Sequence, residues 1–336
     1  MARQRIGFFC GAFDPIQKGH VSAALSVLDG GKADLVFLVP AGASSCFARF
    51  EDRWKMAAAA VSGDKRILLP RMDQCLKVSV SSGDCLRLLR KTDPDPIYVE
   101  IPCSGVSESL PFLVSLSESV LDVSTLEYIE AKGLYGKPCR VEQAGPWLDR
   151  LFDTLNPHRF AHSLSVARMA RHLAEIHGLS MLKAEQAGLL HDCAKCLPLR
   201  EMQRIAREHR LTDDPMILSS GGLLHALVGV PVAQEKYGME DPEVLEAIAF
   251  HTTGSPGMSR LAMCVCLADS IEARREPYPG LMETRSVAEC SLEKALLMSL
   301  DAASAYVLSR GKSLHPRTQA TVEWLKTLPA VHETQE

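Results

Sequence analysis

The sequence predicts an α/β unit followed by an all-α unit. Three observations carry this reading. Short apolar runs alternate with helical stretches through the early part of the chain. Strand signals nearly vanish after Pro138. Ten of the 11 histidines fall after residue 157, several of them inside apolar helical stretches. With 336 residues, the chain is long enough for two domains.

Ile6–Cys10 is a short apolar run closed by Gly11 and reads as a buried strand. Val21–Leu28 suits a helix that breaks at Gly30-Gly31, and Leu35–Val39 is a second buried strand ended by Pro40. Strand, helix, strand at this spacing predicts a parallel sheet with a right-handed crossover. A helix over Phe50–Val61 and a short strand over Arg66–Leu69 follow. Residues 73–105 carry no clear pattern. Leu126–Ala131 reads as a closing helix that stops at Gly133.

Helical periodicity dominates the remainder. Trp147–Leu155 is a helix ending before Pro157. Phe160–His177 is amphipathic, with His162, Val166, Met169 and Leu173 on one face and Gly178 as its stop. Further helices are expected near 181–191, 199–209, 224–237, 242–251, 258–274 and 291–309. The boundary between units falls near 137–145. This gives domains of 1–140 and 141–328 with a frayed tail over 329–336.

Composition bounds the function. The chain is 46% hydrophobic and 23% charged, with a formal net charge of -4. That balance offers no basic footprint for nucleic acid. No run of about 18 apolar residues suggests a membrane span, and the N-terminus lacks a signal-peptide pattern. The 11 cysteines have no regular spacing. A cytoplasmic protein with reduced thiols is expected. Cys193-x-x-Cys196 and Cys264-x-Cys266 read as core cysteines rather than zinc ligands.

The chemistry concentrates in His162, the adjacent pair His191-Asp192, His225, His251 and Asp269. Asp269 closes the run Leu261–Ala268, a buried helix on which a lone carboxylate would be costly. A cation removes that cost. Imidazole and carboxylate ligands suit a hard or borderline divalent metal that activates water, and helices arriving from several directions can place them around one centre. His172, His177, His209, His315 and His332 read as ordinary hydrogen-bonded or surface residues.

The order H…HD…H…H…D resembles the HD-domain phosphohydrolases. His162–Ala167, Gly188–Lys195, His251–Gly254 and Ala268–Glu272 are similar to the YqeK-type HD proteins over nearly all of 150–320. The resemblance implies symmetrical hydrolysis of a dinucleoside polyphosphate, diadenosine tetraphosphate, to two ADP at a two-metal centre. The two divalent ions would be iron, with manganese or cobalt as alternatives. By resemblance, His162, His191, Asp192 and Asp269 would hold one ion. His225 and His251 would hold the other, with Asp192 bridging. Lys195 would act on the phosphates, with Arg159, Arg275 and Thr252 as further substrate contacts. One departure from the family pattern is Ile271-Glu272-Ala273 where an Ile-Glu-Pro-like turn is expected, with an extra residue before Pro279-Gly280.

The segment Gly11–His20 follows the first strand and opens a helix, a place where backbone N–H groups can meet phosphate. It resembles the G-x-F-D-P-x-H-x-G-H motif of nucleotidylyltransferases, in particular nicotinate mononucleotide adenylyltransferases, which implies a Rossmann-like domain. Gly11, Phe13, Asp14, Gln17 and His20 are the corresponding nucleotide-binding positions. Gln17 stands where the motif has its first histidine. The second signature survives at best as Val106–Phe112, with Glu108 and without the arginine. The segment between Leu69 and Ile101 is also short. A retained fold with little catalysis is therefore expected. The alternatives are a bifunctional enzyme that uses Mg2+ to make an NAD precursor, or a nucleotide-sensing or docking module. No nucleic-acid or membrane partner is expected, and a homodimer is compatible with the sequence.

Overall fold

In a computed structural model, residues 4–42, 46, 48–75, 78, 82–90, 97–101, 120–135 and 144–332 are described. The chain divides into two compact units, Met1–Phe152 and Asp153–Glu336.

The first unit is built on four parallel strands: β1 (Arg5–Gly11), β2 (Leu35–Pro40), β3 (Ile67–Leu68) and β4 (Ile97–Glu100), in the order β3-β2-β1-β4. Central β1 pairs with β2 from Ile6↔Leu35 to Gly11↔Pro40 and with β4 from Arg5↔Ile97. Its consecutive residues Ile6, Gly7, Phe8 and Phe9 are all buried, as expected of a strand covered on both faces. The helices are α1 (Lys18–Asp29), α2 (Phe50–Val61), α3 (Met72–Cys75), α4 (Ser82–Arg90), α5 (Val123–Lys132) and α6 (Ala144–Thr154). Segment 73–105, which carried no clear pattern, contains α4 and β4.

Cys10 of β1 and Cys85 of α4 form a disulfide, so the expectation of wholly reduced thiols does not hold at this pair. The sequence could not show it, because the two cysteines are 75 residues apart and meet only when α4 packs on β1. Helix α5 stops at Gly133, which takes the left-handed conformation that glycine tolerates best.

Helix α6 explains why the unit runs to Phe152, beyond the 137–145 boundary read from sequence. Asp149 accepts from Lys55 at 2.5 Å and from Lys132 at 3.0 Å, and Lys132 also reaches Asp52 at 2.7 Å. Phe152 meets Trp54 edge to face at 5.6 Å. The transition residues 136–143 and the second signature around Val106–Phe112 lie outside the described residues.

The second unit is helical throughout: α7 (Pro157–Ile176), α8 (Met181–Leu190), α9 (Leu199–Glu208), α10 (Pro215–Leu218), α11 (Gly221–Tyr237), α12 (Pro242–Phe250), α13 (Arg260–Ile271), α14 (Leu281–Ala288), α15 (Leu292–Ser309), α16 (Pro316–Leu325) and α17 (Pro329–His332). Local chemistry sets the starts. Asn156, Ser180, Asp241 and Ser259 each accept a backbone N–H of the first turn, and Pro157 and Pro242 occupy first helical positions. The expected tail begins with a short helix, α17, whose Ala330 carbonyl accepts from Ser291 Oγ at 3.4 Å. No helix among the described residues is long and apolar enough to cross a membrane.

Two glycines set the helix spacing around the centre of this unit. A Cβ on Gly188 of α8 would lie 2.6 Å from Ala167 Cα and 2.9 Å from Ala167 N on α7. The obstacle is backbone, so only a separation of the helices could relieve it. A Cβ on Gly229 of α11 would meet Ile248 of α12 at 2.9 Å. These contacts place the C-terminal end of α8 against α7, α11 and α12.

Gly188→Ala should cost roughly 1–3 kcal/mol through forced repacking. Gly145→Ala, where nothing lies within 4 Å of the added atom, should be neutral or slightly stabilising. Thermal unfolding of both variants checks this; equal midpoints would show that the α7–α8 approach is not tight.

Candidate metal centre

His162 projects from the second turn of α7. His191 caps α8, and Asp192 follows it. His225 comes from the second turn of α11, His251 caps α12, and Asp269 lies in the last turn of α13. All six sequence-predicted ligands come together. The four histidines and Asp192 are buried, with Asp192 only 1% exposed, whereas the Asp269 side chain keeps 22% of its surface at the mouth. The expectation of a fully enclosed Asp269 is corrected to that extent. The ligand atoms of His162, His191 and Asp269 all lie within 4.8 Å of one another, and so do those of His191, Asp192 and His251. His225 Nε2 is 3.0 Å from both His251 Nε2 and Asp192 Oδ1.

The outer ring nitrogens fix which nitrogen faces inward. His191 Nδ1 lies 2.7 Å from the Gly188 carbonyl, His251 Nδ1 2.7 Å from the Ile248 carbonyl, and His225 Nδ1 3.1 Å from the Gly221 carbonyl. A carbonyl can only accept, so each Nδ1 donates and each Nε2 turns a lone pair to the centre. His162 Nδ1 instead meets the Glu272 carboxylate at 3.2 Å. Glu272 is buried and also accepts from Ser165 Oγ at 2.5 Å and from the Arg274 N–H at 2.5 Å. The sequence reading quoted Glu272 within a motif but gave it no role. The available signal was its spacing, one helical turn beyond Asp269.

The residues fit a divalent cation on three counts. His225 and His251 turn acceptor nitrogens toward each other at 3.0 Å, which is repulsive unless something positive lies at the junction. His162 Nε2, His191 Nε2 and Asp192 Oδ1 are buried without a hydrogen-bond partner. Short distances such as 2.9 Å from His162 Nε2 to Asp269 Oδ1 lack hydrogen-bond alignment, so these atoms converge without bonding. Finally, the Lys195 ammonium sits 3.0 Å from His225 Nε2 and 3.6 Å from Asp192 Oδ1, so a positive charge already rests on these ligands.

Electrostatics separate the groups. Burial pulls His191 down to about 3 and His225 down to about 4, keeping both neutral and able to ligate. Burial also pulls on His162, but the flanking Asp269 and Glu272 carboxylates outweigh it and raise the ring to about 9. Asp192 is pushed up by burial, yet the surrounding imidazoles and Lys195 hold it well below the carboxylate range. Asp269 is displaced the same way, the histidines overcoming burial.

Two arginines border the cluster. Arg159 Nη1 is 3.1 Å from Asp192 Oδ2, and Arg275 Nη1 is 3.9 Å from Asp269 Oδ1. Arg275 therefore reaches the centre despite the altered turn after Glu272. Thr252 Oγ1 lies 3.1 Å from His251 Nε2. The cysteines take no part: burial raises the Cys264 and Cys266 thiols to about 12, and Cys193 is raised by burial as well. His172, His177, His209 and His315 find partners in Glu289, the Ala288 carbonyl, Glu235 and Asp214.

In the first unit, Asp14 accepts from the Ala48 N–H at 3.1 Å and from Tyr135 Oη at 2.5 Å. Gln17 caps α1, and its N–H donates to His20 Nδ1 at 2.9 Å. His20 is buried between the Phe9 and Phe13 rings, and burial lowers it to about 4. Phe13 closes over Gly11, where an added Cβ would lie 3.2 Å from its ring.

A helical unit with a His/Asp centre, preceded by a parallel-sheet nucleotide fold, defines an HD-domain hydrolase with a nucleotidylyltransferase-like partner. Residues 159–274 match the HD domain, and residues 8–131 match the cytidylyltransferase-like family. The chain is 37% identical over 171 residues to "Bis(5'-nucleosyl)-tetraphosphatase, symmetrical" of Halalkalibacterium halodurans, covering 51% of this chain and 90% of that protein. It belongs to that HD-domain family. It is also 26% identical to "Probable nicotinate-nucleotide adenylyltransferase/Ap4A hydrolase" of Mycoplasma genitalium, over 89% of this chain and 97% of that one. A solved HD superfamily hydrolase of Clostridium acetobutylicum, described as involved in NAD metabolism, matches with a TM-score of 0.53 and 38% identity. That match covers 55% of this chain and 96% of the other.

Chelator treatment of the full chain should lower its melting temperature by ~5–10 °C, and Mn2+ should restore it, since a ligand bound only by the folded state stabilises it by mass action. An unchanged transition would mean that the cluster holds no ion.

Proposed function

We propose that this chain hydrolyses diadenosine tetraphosphate symmetrically to two ADP at a two-cation centre. The observation that carries the reading is the junction at Asp192. There, two imidazole acceptors face each other at 3.0 Å, beside a buried carboxylate that neither hydrogen-bonds fully nor lacks positive neighbours. The names of its family members support the choice of substrate.

Two divalent ions would supply positive charge to the phosphates and make water nucleophilic near neutral pH. Iron is the metal we favour, with manganese or cobalt as alternatives. His162, His191, Asp192 and Asp269 would hold one ion, and Asp192, His225 and His251 the other. The chain's own residues then bind and orient. Lys195 leaves Asp192 and His225 to hold an inner phosphate, and Arg159 and Arg275 neutralise flanking phosphates. Thr252 hydrogen-bonds a phosphoryl oxygen. Water adds to a phosphorus beside the central bridging oxygen. The bond to that oxygen breaks, its electron pair leaves with one ADP, and the water oxygen stays on the other. We place the reaction in the cytoplasm; a homodimer is compatible with it.

The first unit we read as a nucleotide-binding fold with little adenylyl transfer. His20 is neutral, and its Nδ1 is occupied by the Gln17 N–H. Gln17 carries no charge, so these two motif positions offer no cation to a triphosphate. Gly11, Phe13 and Asp14 retain the turn. Loss of one such transition-state contact costs about 10²–10³ in rate.

Product chromatography with diadenosine tetraphosphate should show ADP alone, and Asp192→Ala should remove turnover. ATP with AMP would reject the symmetrical assignment while leaving the metal centre intact. Supplied with ATP, Mg2+ and nicotinate mononucleotide, the full chain should release little pyrophosphate. Steady release that disappears in His20→Ala would instead make the protein bifunctional.

A further inference from the structure

The two halves of the centre are electrostatically unequal. His162 and Asp269 face one half. Behind His162 stands a second carboxylate, Glu272, fixed by Ser165 and the Arg274 N–H. On that side Arg275 Nη1 is 3.9 Å from Asp269, and its side chain is 40% exposed. The other half has His225 and His251, whose outer nitrogens rest on neutral backbone carbonyls. Asp192 is shared by the two halves: its Oδ1, which faces His225 and His251, lies 3.6 Å from the Lys195 ammonium, and Lys195 also bonds to His225 Nε2, whereas Arg159 meets the other oxygen, Oδ2, on the His191 side.

We infer that the centre loads in order. The His162–Asp269 half binds its ion first and tightly, and the His225–His251 half binds weakly because Lys195 occupies its ligands. The inference rests on the two-cation reading above. A carboxylate behind a ligating histidine raises the ligand's basicity, and its loss usually costs 10–100-fold in metal affinity. A backbone carbonyl fixes the ring but adds no net charge. In the second half, an ion must displace the ammonium from the atoms that would bind it. Glu272 is thus a positioning residue for the first half, and Lys195 a competitor in the second.

The test is calorimetric titration of chelator-stripped, full-length protein with Mn2+ at fixed pH. Two steps at least tenfold apart are expected. At one equivalent, electron paramagnetic resonance should report an isolated Mn2+ rather than a spin-coupled pair. Glu272→Gln should weaken the tighter step 10–100-fold and leave the weaker one in place. Lys195→Met, at the rim, should tighten the weaker step several-fold and leave the tighter one alone. This second variant keeps the test decisive if Glu272→Gln does not fold. Two steps of equal affinity, or a coupled pair at one equivalent, would overturn ordered loading while leaving the two-cation reading standing. A Lys195→Met protein whose weaker step is unchanged would also overturn it. No bound Mn2+ in the wild type would overturn both readings.

Discussion

Converging lone pairs are the constraint around which the helical unit is arranged. Three backbone carbonyls and one buried carboxylate hold the outer nitrogens of four imidazoles, so each inner nitrogen points at its neighbours. Packing acceptors against acceptors and carboxylates in a site shielded from water is unfavourable. The arrangement persists because each of the four imidazoles is anchored from behind. His191 and His251 sit at helix ends, where the carbonyl three residues earlier is free to accept. His225 uses the Gly221 carbonyl in the first turn of its helix. The close approaches at Gly188 and Gly229 then bring these anchored rings within ligand distance.

The residues of the cluster were legible in the sequence because of where they lie. A carboxylate ending the run Leu261–Ala268, and a His-Asp pair ending an apolar helix, make little sense without a cation. Such residues announce themselves by violating the usual partition of polar and apolar groups. The support behind them was not legible. Glu272 looks like an ordinary charged residue at a helix end, and only the meeting of α13 with α7 shows that it faces His162. Gly188 and Gly229 carry no marker in one sequence that separates a close approach from a merely tolerated glycine. Arg159 lies three residues before His162 and could have pointed elsewhere; its contact with Asp192 depends on the α7–α8 packing.

Fold legibility followed the strength of local periodicity. Strands β1 and β2 were read closely because a buried parallel strand is a short, nearly continuous apolar run, as in Ile6–Cys10 and Leu35–Val39, whereas β4, with no buried residue, was not read. In the second unit, helices α10, α14, α16 and α17 escaped. Two of them have only four residues, too few to establish a period, and α14 and α16 each bury only part of one face. The reach of the first unit to Phe152 was hidden for a different reason. It depends on Asp149 meeting Lys55 and Lys132, contacts between residues far apart in sequence.

The two units treat a buried histidine in opposite ways. Both bury an imidazole within the first two turns of a helix. At α1, His20 accepts from the N-cap and packs against two phenyl rings, and burial then acts alone to suppress charge. At α7, His162 is equally enclosed, but two carboxylates stand on either side of the ring, and they overcome burial. The same desolvation thus accompanies a neutral ring in one unit and a ring that holds positive charge in the other. What decides between them is the presence of Asp269 and Glu272, one helical turn apart on α13.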